Sequence, residues 1–142
     1  MEPHTYALCC PPQVTVPKIA RDFVTSVLRS LDLRHITDSA ALCTSELVTN
    51  SYVHTDKGGG SGSGIGSLLW LVVEPTLVRI SVYDANPSAP APRSARADDE
   101  GGRGLALVAA LADAWGHVRG GPPGLGDRRG KGVWCELGTA RA

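Results

Sequence analysis

The chain has 142 residues and 14.8 kDa, with 42% hydrophobic residues, so about 70% of its unfolded surface can be buried without disulfides or metals. Lys+Arg 14 against Asp+Glu 14 gives net charge +0, which supplies no basic footprint for a nucleic-acid partner. No apolar run approaches the roughly 20 residues of a membrane helix, the N-terminus shows no secretory signal, and Cys9, Cys10, Cys43 and Cys135 form no C-x-x-C pair.

The expectation is one cytoplasmic domain over residues 1–142, with no nucleic-acid and no membrane partner and with reduced thiols. Residues 6–10 (YALCC), stopped by Pro11-Pro12, read as an edge strand. Pro17 suits a first helical turn, and Ile19, Phe23, Val27 and Leu31 recur every four residues through a helix ending near Leu33. A second helix begins near Thr37-Asp38-Ser39, all good caps, and runs to about His54. Its apolar residues spread round most of the circumference, which predicts burial on more than one side. Residues 58–66 (GGGSGSGIG) read as a flexible connector.

Residues 67–73 and 77–83, separated by Glu74-Pro75-Thr76, predict an antiparallel hairpin. After a Pro-rich interruption from Asn86, residues 104–113 have a helical composition and follow a glycine turn directly. Residues 114–119 and 132–137 predict two closing strands. Trp70, Trp115 and Trp134 fall in strands as sheet-packing residues. Lys131 reads as a solvated turn lysine, with a phosphate contact as the alternative, and Arg128-Arg129 with Lys131 form a small basic loop, solvated by default or meeting an acidic partner. The order β-α-α-β-β-α-β-β predicts an α+β, two-layer sandwich, its helices on one face of a mixed, mostly antiparallel sheet.

Three segments carry candidate chemistry. Glu46 and Asn50 lie four residues apart and share a helical face, which His54 extends by one turn. Asn50 offers a hard amide oxygen of the kind Mg²⁺ takes alongside phosphates and water. Glu46, one turn away, is placed to accept a proton from a hydroxyl nucleophile. Asp84 ends an apolar strand; it is either a turn-former or an acceptor for the exocyclic amino group of adenine, which favours ATP over GTP. Gly101, Gly102 and Gly104 flank Arg103 at a helix start, where free amides and the helix dipole suit phosphate.

In order, SELVTNSYVH (45–54), VYDANPSAP (82–90), GGRGLALVAALADAWG (101–116) and GKGVWCEL (130–137) resemble the Bergerat-type ATP-binding fold of the gyrase, histidine-kinase and MutL superfamily (GHKL). The likeness covers more than half the chain and is nearest the short anti-sigma-factor branch of stand-alone serine-kinase-like regulators. It implies ATP and Mg²⁺ as ligands, Glu46 as general base and Asn50 as magnesium ligand. Asp84 becomes the adenine reader. Asn86 stands where the family carries a glycine-bearing stretch, and Gly101, Gly102, Arg103, Gly104 and Leu105 fall at the phosphate turn, closing a lid over about 86–101. The implied activity is transfer of the γ-phosphoryl group to a serine of an anti-sigma-factor antagonist, with a sigma factor as second partner and a homodimer as assembly. The alternative is a non-catalytic ATP-binding regulator whose lid gates a protein partner.

Overall fold

Period-two alternation and i, i+4 spacing resolve into five strands and three α-helices among the described residues. They are β1 (His4–Cys10), α1 (Val16–Ser30), α2 (Thr37–Lys57), β2 (Ser67–Val73), β3 (Leu77–Asp84), α3 (Glu100–Leu111), β4 (Ala114–Arg119) and β5 (Lys131–Gly138). The structure, a computed structural model, describes residues 2–57, 66–84, 100–120 and 131–141; for 52–57 and 100–104 it describes the backbone alone. The predicted connector 58–66 therefore lies outside the described residues except for Gly66, as do Asn86 and the lid span up to residue 99.

The strands form one sheet in the order β1-β2-β3-β5-β4, and every pairing is antiparallel. The α+β sandwich is thus as expected, with no parallel pair in the sheet. One face is a continuous apolar layer of Leu69, Leu71 and Val73 from β2, Val78, Ile80 and Val82 from β3, and Val133, Cys135 and Leu137 from β5. Against it packs α2, which also touches α1 and α3. That central position explains why α2 lacks a clean polar side: Ala40, Cys43, Thr44, Leu47 and Val48 are all buried. The opposite sheet face carries Trp70 and Trp134, with the Arg79 guanidinium 4.3 Å from the Trp134 ring.

Several boundaries differ from the sequence expectation. β1 begins two residues earlier, at His4, because its pairing with β2 runs the whole length to Val73. A short 3-10 turn (Arg34–Ile36) leads into the second helix, and the Thr37 hydroxyl donates back to the Leu33 carbonyl. The first helix stops at Ser30, before Leu33, because Asp32 turns left-handed at φ 60. There the Leu33 amide donates to the Leu28 carbonyl and the Asp32 amide to Arg29, a closure that glycine ordinarily provides. The stripe fully buried on α1 is Val16, Ala20, Val24 and Leu28; Phe23 and Val27 flank it half-buried, and Ile19 is exposed.

A left-handed Asp carries a steric cost that glycine avoids. Asp32→Gly is therefore expected to stabilise the fold by about 0.5–1 kcal/mol and raise Tm by about 2–4 °C. The contact it loses, Arg141 to Asp32 at 3.4 Å, is solvent-exposed and contributes little. A thermal melt showing an unchanged or lower Tm contradicts this account of the helix stop.

One end of the sheet is laced by backbone and side-chain hydrogen bonds, the Asp113 carboxylate among the acceptors. The Gly138 amide donates to Asp113 at 2.6 Å, the Thr139 amide to Thr76 at 3.0 Å, and the Thr139 hydroxyl to Pro75 at 2.7 Å. The polar side chains with functional potential gather at the other end.

Candidate functional site

The site is assembled by α2 running across the inner face of β3 and β5. Cys43 on α2 and Cys135 on β5 are wholly buried and share a thiol hydrogen bond; that bond and burial hold the Cys135 thiol protonated, well above the usual range. Cys43, Leu47 and Asn50 follow at i, i+4 and i+7, so they form one row facing the sheet. Along β5, the inward residues from Cys135 toward the strand start are Val133 and Lys131. About 10 Å of helix and about 13 Å of strand therefore lead to the same sheet end.

That end is where β3 finishes and β2 and β5 begin. Asp84 stands directly opposite Ser67 on one side and Lys131 on the other. The last turns of α2 reach it as well, since Val48 and Ser51 line a small hollow with Cys10, Gly66 and Ser67. Gly66 has to be glycine there, because a Cβ would overlap the Cys10 carbonyl oxygen. The hollow is walled by neighbours of Asn50 and Asp84, not by those two side chains themselves.

Asn50 is 7% exposed, Asp84 8% and Lys131 5%. Polar groups this deep require partners; Asp84, Lys131 and Ser51 each have one. Among the described residues the Asn50 Oδ1 has none. Such an orphan acceptor is costly unless a ligand completes it, and a neutral hard oxygen is the donor type Mg²⁺ accepts beside phosphates and water. The donor set therefore fits that ion held by one protein oxygen; among the described residues no three His, Cys, Asp or Glu side chains cluster as a metal cage. Glu46, one turn earlier on the Asn50 face, is half-buried.

The third segment is placed differently from the sequence expectation. The helix predicted from Gly104 begins at Glu100 and ends at Leu111, so Gly101, Gly102 and Gly104 lie inside α3 and not ahead of it. The amides of Gly101 and Gly102 are then first-turn donors without helical acceptors, whereas the Gly104 amide is in register to donate to the Glu100 carbonyl. Two residues separate the end of α3 from β4, which starts at the laced end opposite Glu136. A 12-residue helix spans about 18 Å, which carries its first turn away from that end. Leu105 packs half-buried against the core. The side chains of His54 and Arg103, and all of Asn86, lie outside the described residues.

Lys131 is a correction. Its position just before the last predicted strand suggests a solvated turn lysine; it is instead the first residue of β5 and among the more deeply buried polar groups. Its charge, after burial, holds the His117 imidazole on β4 below its usual pKa. No local signal marked it, because only the register of β5 on β3 sets it opposite Asp84.

Asn50→Ala isolates the orphan oxygen. Perturbing groups that merely touch metal ligands reduces metal affinity about 10- to 100-fold, so removing a direct ligand should cut the Mg²⁺-dependent part of nucleotide affinity at least about tenfold. Metal-free nucleotide binding should change less, and the ligand-free protein should lose little stability, since a buried unsatisfied acceptor disappears with the side chain. Titration calorimetry with and without Mg²⁺ decides it; equal losses in both conditions rule out the ligand role.

Helices on one face of an antiparallel sheet, with buried polar groups gathered at one end between a helix and two strand termini, make a small-ligand-binding α+β sandwich. The chain belongs to the histidine kinase-like ATPase domain family, which it matches over residues 11–125. No curated protein matches it. Membership supports an ATP-binding regulatory role, usually with Mg²⁺. The matched span runs from α1 through β4; β1 and β5 lie outside it yet complete the same sheet. Among the described residues no helix is long and apolar enough to cross a membrane.

Proposed function

We propose that this protein is an ATP- and Mg²⁺-dependent serine/threonine protein kinase of the anti-sigma-factor type, phosphorylating a small antagonist protein. The observation that carries the reading is the Asn50 Oδ1, buried and, among the described residues, unpartnered, one helical turn from Glu46 on the helix that packs across β3, the strand that Asp84 ends. In this reading the whole chain, 1–142, is one ATP-binding domain that acts as a homodimer and also binds a sigma factor.

Phosphoryl transfer asks a protein mainly for positioning and charge neutralisation. Asp84 orients the nucleotide by accepting a hydrogen bond from the adenine amino group. Asn50 would hold Mg²⁺, which when bound neutralises charge on the phosphates. The first-turn amides of Gly101 and Gly102 supply donors and the positive end of the α3 dipole to the same phosphates, and Arg103 adds a cation; Gly104 and Leu105, and by resemblance Asn86, are further nucleotide-binding residues in this reading. Glu46 accepts the proton of the incoming serine hydroxyl.

Incubation with ATP, Mg²⁺ and candidate antagonist proteins is the test. Phosphoserine on the partner, dependent on Mg²⁺, supports the kinase. Tight ATP binding with no transfer to any partner, and partner release governed by nucleotide alone, leaves instead a non-catalytic regulator.

A further inference from the structure

Cys43 and Cys135 take no part in the nucleotide reading above. Cys9 is exposed and the Cys10 thiol donates to the Leu8 carbonyl at 3.6 Å, whereas these two are wholly buried and hydrogen-bond to each other. A buried free cysteine ordinarily packs as a small hydrophobe. Two in contact across a helix and a strand are also the two halves of a cystine. We propose that Cys43 and Cys135 are an oxidation site, where hydrogen peroxide joins them in a disulfide that ties α2 to β5 and weakens nucleotide binding. The bond itself is independent of the ATP-site reading; its effect on affinity rests on that reading.

The pairing stands on geometry. α2 packs on β5, Cys43 lies in the sheet-facing row of α2, and Cys135 lies on the inward face of β5 between Val133 and Leu137. The two thiols have unequal roles. Cys135 donates to Cys43, which lowers the Cys43 pKa against burial and the Glu46 charge, while Cys135 stays protonated. The thiolate is the nucleophile, so Cys43 reacts first. Its sulfur attacks a peroxide oxygen and displaces hydroxide, giving a sulfenic acid. The Cys135 sulfur then attacks the Cys43 sulfur and displaces water. Two thiols lose two electrons and two protons, and the peroxide becomes two waters. Because both thiols are wholly buried, attack waits for α2 to part from β5, and the bond forms over minutes to hours. Closing the sulfurs from hydrogen-bond contact to about 2.05 Å draws the helix sheetward by on the order of 1 Å. Glu46 and Asn50 follow Cys43 by three and seven residues on the same helix, so the shift reaches them. Binding groups have to be held within about 0.5 Å to work together.

The test is peroxide treatment of the full chain carrying Cys9→Ser, which removes the exposed thiol. Remaining thiols are then alkylated and the peptides mapped by mass spectrometry. The expected product is one species lighter by two hydrogens, with the Cys43 peptide joined to the Cys135 peptide. Titration calorimetry should then show ATP with Mg²⁺ binding about tenfold weaker, the loss of one well-placed hydrogen bond, and dithiothreitol should restore it. An unchanged circular-dichroism spectrum should accompany the loss, which shows that the oxidised chain is folded. In Cys9→Ser with Cys43→Ala, peroxide should leave affinity where it stood before treatment. If Cys43 and Cys135 stay unlinked after hours in peroxide, or the link runs through Cys10, the oxidation site is overturned. A Cys43–Cys135 link with unaltered affinity, or with the helical signal lost, overturns the switch. Reduced protein that binds no ATP overturns the ATP site and the affinity effect together, while the peptide map still decides the bond.

Discussion

Glu46→Gln is expected to slow phosphoryl transfer to the partner serine by about 10²–10⁴-fold, the range in which a positioned general base contributes. ATP affinity should be unchanged, because the substitution preserves size and polarity and in the proposed mechanism the carboxylate acts on the attacking hydroxyl, not on the nucleotide. That split distinguishes the proton acceptor from a group that merely shapes the pocket: loss of an interaction made only in the transition state lowers the rate without touching ground-state binding. Glu46 is suited to the role by being half-buried beside a deeply buried row, so a protein hydroxyl can approach it. Single-turnover transfer assays with saturating ATP make the measurement. A variant that transfers at the wild-type rate removes Glu46 from the mechanism.

Asp84→Asn is expected to weaken ATP binding about 10- to 100-fold, the contribution of a hydrogen bond to a charged acceptor. Discrimination against GTP should shrink at the same time. A carboxylate repels the guanine carbonyl, whereas the amide of Asn can turn its NH₂ toward it. The substitution also leaves the Lys131 ammonium facing a neutral amide in a buried place. Thermal stability should therefore fall even without nucleotide. Titrations with ATP and GTP, alongside a melt of the ligand-free protein, separate these effects. Unaltered affinity and selectivity would falsify base reading by Asp84, whatever happened to the melt.

Several site features were legible because they are local. Glu46 and Asn50 share a face by helical arithmetic alone, and Asp84 closes an alternating run that is β3 residue for residue up to its last position. The hairpin of β2 and β3 follows from two short apolar runs and the Glu74-Pro75-Thr76 break. Where local signals competed, the sequence reading slipped. The glycines before Leu105 look like a turn by propensity, yet they lie inside α3, a helix that packs on α2. Asp32 offers no glycine signal, yet it takes the left-handed cap because Leu33 and Leu28 close the end of α1.

The order of amino acids by itself determined which segments are helix and strand, that the helices share one side of the sheet, and which residue types carry oxygen and charge. Periodicity and turn chemistry act over a few residues, so they are readable without neighbours in space. The strand order β1-β2-β3-β5-β4, the pairing of Asp84 with Lys131 and the isolation of the Asn50 oxygen were decided only by tertiary structure. Those depend on register between segments 47 residues apart in Asp84 and Lys131, and on burial, which is a property of the whole packed layer and of no single stretch of chain.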